Sequence, residues 1–476
     1  MSMKLTPRRR SHSPARQLGV GLLSTVMASF VGLSVVPNMA AAQVTYSEEG
    51  GTFGDGTRYL MRVPSNWNRT LIRDLDYASG ANSQRYLYLL EQGFAVSGTA
   101  RHERRWAGFY DPAREITHLN VVLDLFEEHF GEPERVIQYG CSGGGHVGLA
   151  VAEDFSSRVD GVIATGAHTP VWLMNTMLDG WFVLKTLIAP ELRIVDLPDE
   201  ANLRPQHVPI VFAWRQALDA AQKTPEGRAR IALAVTIGQW PDWTDPLIPN
   251  SDRNDVATLQ HSMYLTVLHR YAASGDIGGR SRYMFENPAG LHSSQLSWNT
   301  DVDYTKFFDN GNAFHKRAVH QLYQEAGLDL QADLERIKES PRISADADAL
   351  EYWSAPGRTT KGNPKVPLLR MHEIGDPVVA VSPIQGYTDL VHTNGKDDLY
   401  RTAFVEAPTH CGFTIAETAV AMETMMRRLD TGHWGSTAPE YLNELAKSLD
   451  VEGTLSRFIP FEDYANAKYN RTWTPN

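Results

Sequence analysis

Arg135-Val136-Ile137-Gln138-Tyr139-Gly140-Cys141-Ser142-Gly143-Gly144-Gly145-His146 is the stretch on which the reading of this chain turns. Its first five residues suit a buried strand, and 144–150 opens a helix with a small-residue face. Between them, Gly140-x-Ser142-x-Gly144 is the pattern of a sharp strand-to-helix turn, in which glycines let the chain thrust a serine upward. A serine hydroxyl is a weak nucleophile at neutral pH. It needs a histidine to take its proton, a carboxylate to hold that histidine, and N–H groups to receive an oxyanion.

Outward from the turn, strand and helix signals alternate. Residues 59–63, 70–75, 94–99, 135–139 and 159–165 read as strands, and 83–91 as a helix. Asp111-Pro112 opens a longer helix as N-cap and first-turn proline; Ile116, Leu119, Val122, Leu123, Phe126 and Phe130 keep its 3.6-residue period, and Gly131 ends it. The alternation resumes with strands at 366–371 and 400–407, a helix from Ser382-Pro383, and a Thr414/Glu417 capping box before a last helix. Short links between such elements predict an α/β fold with a mostly parallel central sheet covered by helices.

Residues 170–345 carry helical signals instead, at 209–222, 225–237, 252–273 and a pair within 314–339. The block reads as a helical cap inserted between late strands, with an independent second domain as the alternative. The expected divisions are therefore a leader at 1–42, a core first half at 43–169, the cap at 170–345 and a core second half at 346–476. The cap holds six of the eleven tryptophans. They suit its own hydrophobic core, and they equally suit an aromatic wall over a pocket, with Trp172 and Trp181 as candidate substrate-binding residues.

The acid and the base should follow the serine in that order. Asp376, in Gly375-Asp376-Pro377, lies just past the strand at 366–371, where catalytic groups of open sheets gather. His410 comes directly after the strand at 400–407, while Asp389, Asp397 and Asp398 sit in a helix or a loop. His146, one turn into the elbow helix, reads as a packing or rim residue. The oxyanion donors should be the N–H of Gly143 and one from the loop after residue 75, for which Tyr77 is the positional candidate.

The chain has two cysteines, Cys141 beside Ser142 and Cys411 beside His410. A serine and histidine in contact carry these neighbours toward the Cα separation a disulfide prefers. Such a bridge closes a very long loop, and the chain-entropy account assigns it roughly 5 kcal/mol. It would also tie the nucleophile turn to the histidine loop.

The first 42 residues look like a secretory leader: Arg8-Arg9-Arg10 and Arg16, an apolar stretch at 18–36, and Ala40-Ala41-Ala42 as a cleavage site. A membrane anchor is the alternative, and the export route stays open. With the leader removed, the expectation is a periplasmic or secreted protein with no membrane segment, in an oxidising compartment that permits the disulfide. The formal charge of −11 becomes −16 when the leader's five basic residues go. That balance argues against nucleic-acid partners and toward a neutral or apolar substrate.

Cys141-Ser142, Asp376 and His410-Cys411 together resemble the tannase and feruloyl esterase family of α/β-hydrolases, whose lid also lies between late core strands. The resemblance implies an α/β-hydrolase fold and a serine carboxylic-ester hydrolase acting through an acyl-serine, on esters of aromatic acids, with no cofactor. Ser142 would attack, His410 serve as base and then acid, and Asp376 hold the imidazole. Members of that family often carry a lid calcium; here Asp301, Asp303, Asp309 and Asn312 match no calcium loop, so no metal is expected. An amidase or exopeptidase, a polyester depolymerase, and a binding protein on the same scaffold are the alternatives.

Overall fold

The computed structural model describes residues 44–107, 110–195, 209–250, 252–273, 294–451 and 453–461; the leader expected at 1–42 lies outside the described residues. The described residues open with an antiparallel hairpin, β1 (Tyr46–Thr52) and β2 (Arg58–Pro64). The sequence gives no signal for β1, because its residues are nearly all exposed and show no apolar alternation. It is a charged edge strand, with Glu48 reaching Arg62 of β2 at 2.6 Å.

β3 (Thr70–Asp74) is buried along its whole length and runs into the one-turn helix α1 (Tyr77–Gly80), then α2 (Gln84–Glu91) and the equally buried β4 (Ala95–Thr99). The next helix, α3 (Pro112–Phe130), starts and stops where its caps predict. Asp111 accepts the Ala113 N–H, Pro112 takes the first turn, and Gly131 closes at φ +86°. Its stripe of Ile116, Leu119, Val122, Leu123 and Phe126 packs on Leu71, Ala95 and Val136 of the sheet. Each such side chain contributes about 1.5–3 kcal/mol when fully buried. β5 (Arg135–Cys141), α4 (Gly143–Asp154) and β6 (Gly161–Thr165) complete the first half.

Among the described residues, none between Thr165 and Leu368 joins the sheet. The described residues between form α5 (Pro170–Leu187), α6 (Pro209–Ala221), α7 (Pro225–Gly238), α8 (Val256–Ala273), α9 (Tyr304–Asp309), α10 (Ala313–Ala326), α11 (Leu330–Glu339) and α12 (Ala347–Ser354). α5 is buried on almost every face, so no amphipathic period announces it. Trp214, Trp240 and Trp353 are among the largest fully buried side chains, and the core they share runs on through α12, past residue 345. Asp303 and Asn312, two of the acidic cluster, accept the first N–H groups of α9 and α10, which accounts for them as helix caps.

β7 (Leu368–Glu373), α13 (Pro383–Thr393), β8 (Tyr400–Val405), α14 (Ile415–Thr431), α15 (Pro439–Leu449) and β9 (Phe458–Ile459) finish the fold. The Thr414/Glu417 capping box is formed at the start of α14. The nine strands of the described residues make one sheet, in the order β1-β2-β4-β3-β5-β6-β7-β8-β9. Pairing is parallel from β4 through β8 and antiparallel at β1–β2, β2–β4 and β8–β9. This is the α/β-hydrolase fold. Cys141 pairs with Thr165, Thr165 with Met371, and Glu373 with Val405, so the segments leaving β5, β6, β7 and β8 emerge side by side.

Candidate active site

Ser142 occupies the turn between β5 and α4 with φ +59° and ψ −120°, a conformation that costs a non-glycine residue of order 1–3 kcal/mol. Its own backbone holds it there: Ser142 N–H donates to the Thr165 carbonyl at 3.0 Å, and its carbonyl accepts the His146 N–H at 2.9 Å. The glycines that the turn requires are Gly140 and Gly145. A Cβ on Gly140 would lie 2.6 Å from the Gly144 backbone, and one on Gly145 would lie 2.7 Å from the Thr165 carbonyl oxygen. Gly144, the second glycine of the pentapeptide, has ordinary room.

Asp376 sits in the turn beyond β7 and is completely buried. Its Oδ1 accepts the Val378 and Val379 N–H groups at 2.7 and 2.8 Å, which fixes the carboxylate plane. Its Oδ2 receives His410 Nδ1–H at 2.7 Å. With Nδ1 donating to a carboxylate, the other ring nitrogen of neutral His410 is the one left to accept a proton. Burial works to lower the pKa of His410, but the Asp376 charge and hydrogen bond, aided by Glu373, more than offset it and the net shift is upward. His372, near the same carboxylate at 3.7 Å, is pushed down to about 4 by burial and stays neutral.

Cys141 and Cys411 are joined by a disulfide with their Cα atoms 5.9 Å apart. Since Ser142 and His410 are the covalent neighbours of these cysteines, the bridge limits how far the two can separate. Gly166, at φ +49°, fills the space where these parts meet: a Cβ there would lie 3.1 Å from Cys141 Sγ and 3.7 Å from both Asp376 Oδ2 and His410 Cε1.

Three residues of this cluster have no sequence motif. Glu373, the last residue of β7, is fully buried and accepts from Thr409 Oγ1 at 2.5 Å and from the Cys411 and Gly412 N–H groups at 2.8 Å each. Burial, then the nearby Asp376, push its carboxyl up to about 7. His168, just past β6, is held well below its ordinary pKa by burial and then by His146, Arg101 and His410. Arg101, two residues beyond β4, forms a two-pronged ion pair with Asp76, Nε and Nη2 each donating at 2.7 Å.

The two expected oxyanion donors each stand at the first residue of a helix. Gly143 opens α4, and Tyr77 opens α1, whose first N–H groups have no acceptor within the helix. Asp76, next to Tyr77, reaches within 3.5 Å of where a Cβ of Gly144 would stand. His146 is fully buried and lowered to about 3, a packing residue. Trp172 lies in the first turn of α5 and is 5% exposed. Trp181 is 2% exposed and packs against Trp214 and Trp240 at ring separations of 5.3 and 5.9 Å. It belongs to the core of the helical block, since α5 is buried nearly all round.

The o-phthalyl amidase of Xanthobacter agilis is 50% identical over 451 residues, covering 91% of this chain and 98% of that enzyme. This chain belongs to the o-phthalyl amidase family. With that membership and this sheet, the protein is a hydrolase of the α/β-hydrolase fold. No protein-family model matches the chain. Solved structures similar to this family member include feruloyl esterase B from Aspergillus oryzae, 12% identical with TM-score 0.39 over 82% of this chain and 81% of that one. The tannin acyl hydrolase of Aspergillus niger is 13% identical, with TM-score 0.37 over 83% and 85%.

Proposed function

We propose that this protein hydrolyses amides of aromatic acids bearing a second, ortho carboxyl group, through an acyl-serine intermediate on Ser142. The observation that carries the mechanism is the buried Asp376–His410 pair bound by disulfide to the strained Ser142 turn. The relative's acyl group directs the reading to phthalyl amides. The aromatic acyl moiety agrees with the esterase expectation from the sequence; the leaving group changes from an alcohol to an amine.

In this reading His410 takes the Ser142 proton as the hydroxyl attacks the amide carbonyl. The oxyanion is received at the N-terminus of α4, by Gly143 N–H, and by a second N–H from the 75–77 loop. Protonated His410 then gives its proton to the departing nitrogen, a step an amide needs and an activated ester does not. The upward-shifted pKa of His410 favours its first task, taking the Ser142 proton. Water then enters by the same base and releases the acid.

Supporting a location outside the cytoplasm are the disulfide and the leader signals; among the described residues, no helix is long and apolar enough to cross a membrane. The helices between β6 and β7 serve as the lid, reaching the site where the Trp243 carbonyl approaches within 2.2 Å of the place a Gly375 Cβ would take.

The test compares the 4-nitroanilide of phthalic acid with a 4-nitrophenyl ester of a simple acid. The purified protein should release 4-nitroaniline, and Ser142→Ala should lose activity on both. Undiminished turnover by that variant would remove Ser142 from the reaction, and cleavage of the ester alone would return the protein to the esterases.

A further inference from the structure

Arg101 stands beside the Ser142 turn and the reaction above leaves it unused. Its Nε and Nη2 are taken by Asp76 at 2.7 Å each, and Nη2 also donates to the Cys141 carbonyl at 3.3 Å. These bonds fix the guanidinium plane against the end of β5. Nη1 has no hydrogen-bond acceptor among the described residues, and it points at the turn: a Cβ on Gly143 would lie 2.7 Å from it. The absence of a side chain at Gly143 is therefore what admits a cation beside the first residue of α4.

The local charge supports an anion at this point. Asp74 is already engaged by Arg85 at 2.9 Å and Tyr86 at 2.8 Å, while Asp76 feels Arg101, Arg85 and Arg105 together. The charge of Arg101 also acts on His410 and His168, which sets it within electrostatic reach of the reacting groups. A chain with net charge −11 thus keeps a fixed cation at its candidate site. Partner choice at a site follows the nearest fixed charges, since distant surface charges are screened.

We propose that Nη1 of Arg101 is a carboxylate-binding subsite that receives the free carboxylate ortho to the scissile carbonyl. This rests on the phthalyl-amide reading. The scissile carbonyl must meet both the Ser142 hydroxyl and the Gly143 N–H, so a group on the adjacent ring carbon falls beside Gly143, where Nη1 stands. A para carboxylate is directed away from it. Arginine suits the task because it stays charged, and the Asp76 clamp presents its remaining nitrogen without loss of side-chain freedom on binding.

The experiment measures kcat/KM of native protein and Arg101→Gln on 2-carboxybenzoyl and benzoyl 4-nitroanilides, with thermal melting to verify folding. The native protein should prefer the carboxylated substrate. Arg101→Gln should lower kcat/KM for it about 10- to 100-fold, chiefly through KM, with the benzoyl substrate changed only a few-fold. An equal fall on both would overturn the proposal and make Arg101 a support for the turn or the oxyanion; no fall on either would overturn it as well. A second measurement needs no variant and no amide cleavage: inhibition of native 4-nitrophenyl acetate hydrolysis by phthalate and by terephthalate. Phthalate should inhibit at least about tenfold more tightly. Equal inhibition rejects the subsite, whereas ortho-selective inhibition without anilide cleavage retains it and rejects only the amide reading.

Discussion

The Glu373 carboxylate accepts the backbone N–H of Cys411 at 2.8 Å, so the end of β7 directly supports the residue that follows His410. Thr409 and Gly412 donate to the same side chain, and Cys411 itself stands at φ +62°. The loop carrying the imidazole is thereby held from below by one buried acid and from the side by a disulfide. Asp376 fixes the ring within that frame.

Glu373 and His410 both bind a proton more tightly in the folded chain than in the unfolded one. Glu373 reaches about 7 from an ordinary 4.5, through burial first and Asp376 second. A group whose folded pKa is raised contributes stability at low pH and loses it as pH climbs through the folded value. The denaturant midpoint of the native protein should fall between pH 5 and pH 8. Glu373→Gln should flatten that dependence, and a slope unchanged by the substitution would remove Glu373 as its source.

The same substitution should move the pH–rate profile. Ionised Glu373 raises the pKa of His410, so its loss should shift the acid limb of kcat/KM to lower pH while kcat drops as the Cys411 contact is lost. Glu373→Ala should lower kcat further, since all of its hydrogen bonds disappear together. A limb that stays in place would show that Glu373 acts on the loop alone.

Asp376→Asn keeps the size of the side chain but gives His410 Nδ1 a group that no longer enforces its tautomer. We expect kcat to fall roughly 10⁴-fold with KM little changed. Because Oδ1 can still accept from Val378 and Val379, melting temperature should move far less than activity. Loss of folding in place of loss of rate would mean that the carboxylate is chiefly structural.

Replacing Cys141 and Cys411 together by alanine should cost about 2–5 kcal/mol of stability and also lower kcat, because the Ser142 turn and the His410 loop lose their covalent link. Urea unfolding and single-substrate kinetics on the double variant measure both effects. Full retention of kcat would confine the bridge to stability.

Trp181→Ala separates a packing role from a substrate-binding one. A tryptophan 2% exposed among Trp214 and Trp240 should cost about 3–5 kcal/mol on truncation. At a temperature where the variant remains folded, KM for an anilide should match the native value. A raised KM with unchanged stability would place Trp181 at the substrate.

Local chemistry made much of this protein legible in its sequence. Gly140-x-Ser142-x-Gly144 marked the turn between strand and helix, Asp111-Pro112 and Thr414/Glu417 marked helix starts, and alternating apolar runs marked the buried parallel strands. All of these depend on residues within a few positions of each other. The pairing of two cysteines was also within reach, since each borders a residue with a chemical reason to meet the other. Exposed β1 and all-round buried α5 gave no periodic signal, because neither has one wet face and one dry one. Only the tertiary structure could bring Glu373 under Cys411, set Arg101 beside Gly143 and turn Trp181 into its helical core. Those relations join segments distant in the chain through sheet register and helix packing, and no short-range pattern encodes which side chain will be nearest.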